Sequence, residues 1–369
     1  MTLLPLNSVR VLDLSRVLAG PLCTMMLGDL GAHVIKVERP GRGDDSREWG
    51  PPFDATGASA YYLAVNRNKL SIAADLRRDG ELIRRLASSA HVVVENHRPG
   101  ALDRAGIRMA ELLEANPALV WCSITGFGAG ATRPGYDFVV QAESGWMAIT
   151  GVPDGEPMKS GVALVDVLAG KDAAVAILAA LAGIGRGASV ARLISISLVD
   201  SARAALINVA QNVMVSGRDS GRWGNAHSNL VPYQLFHASD QAIVIAAGTD
   251  EQWKACALAL GLERLASDPA LSSNRGRIAE RERIVAEMAR AVKGRTAADL
   301  GRALDQAGVP NGRVKSVLEA IRDAGSASPV FGMPSSVGGS MRLPPPSLDQ
   351  HGDLIRRLGW VAFEAPGGA

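Results

Sequence analysis

The sequence predicts an α/β protein built on a parallel sheet, with a smaller α+β region following it. Two observations carry this prediction. Short apolar runs alternate with helix-like segments from residue 9 to about residue 200. After residue 216 the pattern changes to a hairpin and then to charged helices.

Taken in order, Val9 to Leu14 reads as a strand, Gly20 to Leu30 as a helix and His33 to Val37 as a second strand, so the chain opens with a βαβ-like unit. Leu70 to Ala74 is a strand, Glu81 to Ala90 a helix, and Val92 to Val94 and Leu119 to Thr125 are further strands. The last leads into the Gly-rich loop 126–130 and then Pro134-Gly135-Tyr136-Asp137. Ala173 to Leu181 forms an apolar helix ended by Gly183, Gly185 and Gly187, with a strand at Ser189 to Asp200 and a helix at Ala202 to Val215. Residues 216–229, rich in Gly, Ser, Arg and Asn, read as a connection. Tyr233 to Phe236 and Ala242 to Ala247 make a hairpin around an Ala-Ser-Asp-Gln turn, and helices follow at 250–260, 277–293 and 296–307. A last amphipathic helix is expected near His351 to Leu358. The domains are therefore placed at 1–200 with 318–369, and at 226–317, with 201–225 as linker.

Composition narrows the function. Hydrophobic content of 47% with 21% charged is that of a soluble globular chain. A net charge of +2 and only 4% aromatics argue against a nucleic-acid surface. The N-terminus lacks a basic leader region, and no segment reaches the roughly 18 apolar residues of a membrane span, so a cytoplasmic protein with no membrane contact is expected. Cys23, Cys122 and Cys256 are far apart and without metal spacing, reading as buried apolar side chains. No metal is expected.

Candidate chemistry gathers at strand ends. Ala19-Gly20-Pro21-Leu22 is not the Gly-x-Gly-x-x-Gly of a dinucleotide site, which weakens an NAD-dependent reading. The second strand runs into a loop holding Arg39, Arg42 and Arg47, which is either solvated or borders an anion. Glu95-Asn96-His97-Arg98 follows a strand at the edge where open α/β sheets bind ligands. Asp166 is a lone carboxylate in the apolar run Gly161 to Lys171, expected to be partly buried just before a helix. Two readings compete for it. As an N-cap it contributes roughly 1 kcal/mol. As a desolvated nucleophile it would attack a carbonyl, with backbone N–H groups holding the oxyanion. The local pattern alone favours the cap.

Five stretches together resemble the class III coenzyme A transferase family: Val11 to Pro21 with Leu27 to Glu38; Asn66-Arg67-Asn68-Lys69; Val94 to Gly106; Pro134 to Phe138; and the Asp166 segment. Gly308-Val309-Pro310, Pro344 to Pro346 and His351 extend the resemblance over nearly the whole chain. It implies that Asp166 is the catalytic aspartate, forming an aspartyl anhydride and then an aspartyl-CoA thioester. It further implies that Arg16, Val17 and Ala19 line the CoA site, that Arg39 lies near the adenosine end, and that Lys69 and Arg104 meet phosphates. Asn96 and His97 would sit beside the nucleotide or pantetheine arm, and Tyr136 is counted with these CoA-site residues. The family fold implies a Rossmann-like large domain made from both chain ends, and a homodimer of interlocked chains. Substrates would be an acyl-CoA and a carboxylic acid, with a coenzyme A thioester as substrate and no prosthetic group.

The chain departs from formyl-CoA transferase, whose Gly-rich active-site loop has no match here. Gly224-Asn225-Ala226-His227 with Val231-Pro232-Tyr233-Gln234 looks more like the succinyl-CoA-dependent dicarboxylate transferases. These residues are the expected surroundings of a dicarboxylyl group. An α-methylacyl-CoA racemase is the alternative within the resemblance, but its site has a His where this chain has Tyr136, and a tyrosine, ordinarily ionising only near pH 10, is a poor general base near neutrality. A catalytically silent CoA-binding protein would have no need of Asp166.

Overall fold

The computed structural model describes residues 4–323 and 340–365. The chain forms two compact units, one of Met1–Ala148, Lys159–Ser220 and Ser328–Ala369, the other of Ile149–Met158 and Gly221–Ala327. The short piece Ile149–Met158 goes with the second unit, and its Gly151, Pro153, Gly155 and Pro157 are a turn-rich signal that the sequence reading passed over.

The larger unit runs β1 (Arg10–Asp13), α1 (Ala19–Asp29), β2 (His33–Glu38), α2 (Ala60–Leu63), β3 (Lys69–Ala73), α3 (Gly80–Ser88), β4 (Val92–Glu95), α4 (Ala101–Arg104), α5 (Met109–Ala115) and β5 (Val120–Thr125). It continues with α6 (Asp137–Glu143), α7 (Trp146–Ile149), α8 (Leu164–Gly185), β6 (Leu193–Ser197), α9 (Leu198–Ala204) and α10 (Ile207–Ser216). The six strands lie in the order β3-β2-β1-β4-β5-β6 and every pairing is parallel. The sheet thus winds in two directions from β1, and a crevice opens beyond the carboxyl ends of β1 and β4, where successive loops part.

Both faces of this sheet are covered, which is why the strands read as unbroken apolar runs. Alternate side chains serve opposite cores. Val11, Val34, Val92, Val94 and Cys122 pack with α1 and α8, while Leu12, Ile35, Leu70, Val93 and Trp121 pack with α3 and the C-terminal segment. The C-terminal α17 (Gly352–Leu358) is tied to β3, His351 donating from its backbone N to Ser71 O at 3.0 Å and accepting at Nδ1 from Ser71 N at 3.2 Å. All three cysteines are buried free thiols.

Two expectations are corrected here. The stretch 201–225, placed as linker between the domains, carries the helix expected over Ala202 to Val215, but in two pieces, α9 ending at Ala204 and α10 running Ile207–Ser216. The helix expected to begin after Asp166 begins at Leu164 and runs 22 residues to Gly185, long and apolar enough by composition to cross a membrane. Val165, Ala169, Ala173 and Ile177 on one of its faces are nevertheless buried in the core shared with α1 and the sheet.

The smaller unit holds the antiparallel hairpin β7 (Tyr233–His237) and β8 (Ala242–Ala246), with β9 (Asn311–Arg313) added alongside β8. Around it lie α11 (Asp250–Ala259), α12 (Glu263–Ala266), α13 (Asn274–Ala279), α14 (Arg281–Lys293), α15 (Ala297–Gln306) and α16 (Val317–Asp323). Its separate core includes Phe236, Ile243, Trp253, Ile284, Met288 and Leu300. The single helix expected over 277–293 is two, parted at Glu280, which has left the helical region at ψ 21°.

Candidate active site

Helices α1 and α8 cross so closely that a Cβ at Gly170 would stand 2.7 Å from Ala19 O. Only glycine permits that approach. It brings Asp166, one turn earlier on α8, beside the loop that joins β1 to α1. Arg16, Val17, Leu18 and Ala19 of that loop, Asn96 and His97 after β4, Tyr136 before α6, and Asp166 all line one cavity of about 220 Å³. Six of the sequence-derived candidates besides Asp166 are thereby brought together: Arg16, Val17, Ala19, Asn96, His97 and Tyr136.

The loop is held on both sides. Asn96 grips the Arg16 backbone, its Oδ1 accepting from Arg16 N at 3.0 Å and its Nδ2 donating to Arg16 O at 2.7 Å. Val17 has φ 74°, and its N–H donates to the Asp44 carboxylate at 3.1 Å. A β-branched residue holds a left-handed conformation only where its surroundings enforce it. Arg16 also pairs with Asp45 at 3.4 Å, and Arg39 pairs with the same carboxylate.

Asp166 does not cap its own helix. The N-cap position is Ala163, and Asp137 does the capping instead, its Oδ1 accepting from Val165 N at 2.7 Å. With Leu164 N donating to Val162 O and Val167 N to Ala163 O, the first-turn N–H groups of α8 are already used. An oxyanion beside Asp166 would therefore not find its donors there. Asp166 itself is buried at 9% exposure, and no cation among the described residues pairs with it. Burial, and then the charge of Asp137, pushes its carboxyl up to about 7. A carboxylate so poorly solvated is a stronger nucleophile than a hydrated one, and it faces a cavity edged by cations.

His97 is held neutral near pH 7, burial and then the nearby Arg16 lowering it to about 4. Its backbone N–H donates to Glu95 Oε2 at 2.8 Å, which sets the turn after β4. Arg39 does not line this cavity but a neighbouring one of about 290 Å³, which shares Arg16 and His97 and adds Arg77. Arg104 sits exposed at the end of α4 and lines neither.

Lys69 is a correction. The expectation that it meets a phosphate gives way to a fully buried ammonium that donates to Pro21 O and Asn66 Oδ1 at 2.9 Å and pairs with Asp13 at 3.0 Å. With three partners inside the protein, it has no donor left for a ligand. Burial alone would raise Asp13, but Lys69 and then Lys36 hold it well below the ordinary carboxylate range.

In the smaller unit, His227 N donates to Tyr233 O and His227 Nδ1 accepts from Asn229 N, each at 2.9 Å, so these residues make a local turn. One residue near the site escaped the sequence reading. Tyr61 of α2 is raised to about 12 by burial and then by the Asp166 charge, and it meets Trp49 edge to face at 5.2 Å between centroids. Nothing in the run Ala60-Tyr61-Tyr62-Leu63 distinguishes it.

Residues 6–333 match the family model described as CoA-transferase family III. A protein of Agrobacterium fabrum named succinate--glutarate CoA-transferase is 41% identical over 329 residues, spanning 86% of this chain and 82% of its own. The mouse succinyl-CoA:glutarate CoA-transferase is 38% identical, spanning 94% of this chain and 84% of its own. An acetyl-CoA:oxalate CoA-transferase of Acetobacter aceti is 35% identical, spanning 98% and 96%. A crystal structure of a CAIB/BAIF family protein from Brucella suis superposes with a TM-score of 0.83 at 38% identity, covering 96% of this chain and 99% of that one.

Proposed function

The chain belongs to CoA-transferase family III, and from that premise we propose that it moves coenzyme A from succinyl-CoA, or another dicarboxylyl-CoA, to a carboxylic acid through covalent intermediates on Asp166. The observation that carries the proposal is the buried, unpaired Asp166 carboxylate at the wall of the cavity formed by Arg16 to Ala19. The mouse relative's name, succinyl-CoA:glutarate CoA-transferase, supports the donor, and the Agrobacterium relative's name, succinate--glutarate CoA-transferase, supports a dicarboxylate pair.

An Asp166 oxygen attacks the thioester carbonyl carbon; the C–S bond breaks, leaving an aspartyl acyl anhydride and CoA thiolate. The thiolate then attacks the Asp166 carbonyl of the anhydride, expelling the donor carboxylate and forming an aspartyl-CoA thioester. The acceptor carboxylate attacks that thioester, giving a second anhydride and thiolate again. Attack of the thiolate on the acceptor carbonyl releases the new acyl-CoA and restores Asp166. No proton is gained or lost over the cycle. Burial serves the scheme twice, by keeping the carboxylate poorly solvated and by keeping water from the anhydride.

The acyl end would enter the cavity at Asp166, with Asn96 and the neutral His97 beside the pantetheine arm. Arg16 and Arg39 would offer charge to the phosphates of the nucleotide. The site is proposed to work in a homodimer of interlocked chains. That reading is supported by α10, which has no buried residue and exposes Met214 and Val215 at 69% and 79%.

The test is to mix purified protein with succinyl-CoA and a panel of mono- and dicarboxylates and detect new CoA thioesters by mass. Without acceptor, the protein should gain the mass of a CoA adduct, and Asp166→Ala should not. New thioesters from an unlabelled Asp166→Ala protein would end the mechanism.

A further inference from the structure

We propose that Lys36, which lies outside the Asp166 cavity, is a positioning residue for CoA binding: its buried ammonium fastens the Arg16–Val17 wall of the cavity to strand β2. The inference rests on the reading of that cavity as the CoA site.

Lys36 has no exposed surface. Its Nζ donates to Ser15 O at 2.9 Å and pairs with Asp44 at 2.9 Å, with Asp13 farther off at 4.0 Å. Asp44 in turn accepts from Val17 N at 3.1 and 3.3 Å, and from Ser46 N and Oγ at 3.0 and 2.8 Å. One ammonium therefore reaches the loop twice, directly at Ser15 and through Asp44 at Val17, with Arg16 between the two anchors. Those anchors enforce the left-handed Val17, and Asn96 grips Arg16 from the opposite side.

A cation suits this place because carboxylates converge on it. Asp44 N donates to Glu38 Oε2 at 3.0 Å, and Asp13, Glu38 and Asp44 are all buried. Lys69 attends to Asp13 and Arg47 to Glu38, at 3.0 and 2.8 Å. Asp13 at the end of β1 also holds Ser15, accepting from its N at 2.9 Å, but among the described residues only Lys36 joins Asp44 to the Ser15 carbonyl, so its removal would leave the buried Asp44 without a cation and the wall without its link to β2.

Calorimetric titration with free CoA tests this without requiring turnover, and thermal melts report folding in parallel. In Lys36→Met and in Asp44→Ala the Kd for CoA should rise between about ten- and a hundredfold, the loss expected when a binding wall shifts by about 1 Å. Asp44→Asn keeps one oxygen, which can serve Val17 N–H or Lys36 Nζ but not both, so its Kd should rise as well, though less than in Asp44→Ala. In the variants that fold, kcat at saturating succinyl-CoA should stay within about threefold of wild type, since Asp166 is untouched. A folded Lys36→Met protein with wild-type Kd overturns the proposal. Should Lys36→Met not fold, wild-type Kd in Asp44→Ala overturns it equally. Failure of the wild type itself to bind CoA would instead strike the reading of the cavity.

Discussion

Asp137 caps the helix that carries Asp166, its Oδ1 accepting from Val165 N at 2.7 Å and from Asp166 N at 3.4 Å. The two carboxylates share one helix end, and the charge of Asp137 adds to burial in raising Asp166 to about 7. The anion is the attacking form, so kcat/KM should fall as pH drops through about 7 and level off above it. Asp137→Asn keeps an oxygen for the two N–H groups and removes the charge. Its acid limb should lie at lower pH, with a similar plateau. A pH–rate profile with succinyl-CoA checks this, and a limb that does not move would remove Asp137 from the account.

Asp166→Asn should lose at least about a thousandfold in kcat, as removal of a nucleophile does, and yet gain stability. The sign follows from the raised folded pKa. In the folded state the charge is penalised above about 7, and below the ordinary value of 3.8 both states are protonated and the penalty is absent. The asparagine variant should therefore match wild type near pH 3.8 and pull ahead through pH 7, by up to about 4 kcal/mol. Urea unfolding at pH 4 and pH 8 measures the difference. An equal gain at both would mean that ionisation is not its source.

The sheet was legible because both of its faces are buried: runs such as Val92-Val93-Val94 have no polar alternation to confuse them with loops. Asp166 was legible for the same reason, as a charge inside an apolar run. Lys69 was misjudged because a basic residue at a strand start looks alike in sequence whether it faces a phosphate or a buried Asp13. Lys36 went unnoticed inside His33 to Glu38, where only the tertiary meeting of Asp13 and Asp44 gives it a task. Strand β9, three residues of Asn-Gly-Arg, has no strand propensity of its own and exists through its pairing with β8.

Lys69→Met separates the structural lysine from a phosphate ligand. Removing the cation leaves Asp13 buried with Lys36 only at 4.0 Å, so roughly 3–5 kcal/mol of stability should go. Kd for CoA, measured below the lowered Tm, should stay within about threefold of wild type. A large loss of CoA affinity with an unchanged Tm would restore the phosphate role.

The exposed apolar faces of α10 and α8 predict a tight homodimer, Met214, Val215 and Val175 being 69%, 79% and 66% exposed. Sedimentation at nanomolar concentration should show a dimer in wild type. Met214→Glu should lower dimer recovery on refolding, since a charge would then have to enter the interface. A reversible wild-type monomer at nanomolar concentration would count against interlocked chains.

Donor choice is the last expectation. A distal carboxylate asks for polar partners that acetyl-CoA leaves unpaired, which costs roughly 1–3 kcal/mol and corresponds to a preference of about five- to a hundredfold for succinyl-CoA. His227 belongs to the stretch, with Asn225, Tyr233 and Gln234, that suggested a dicarboxylate, but its Nδ1 accepts from Asn229 N and its backbone N donates to Tyr233 O. His227→Ala should therefore weaken that turn by about 1 kcal/mol and leave the succinyl-to-acetyl ratio unchanged. Initial rates with both donors, for wild type and variant, decide the matter. Equal rates in the wild type would refute the dicarboxylate donor, whereas a ratio that collapses only in His227→Ala would make that imidazole the recognising group rather than a turn anchor.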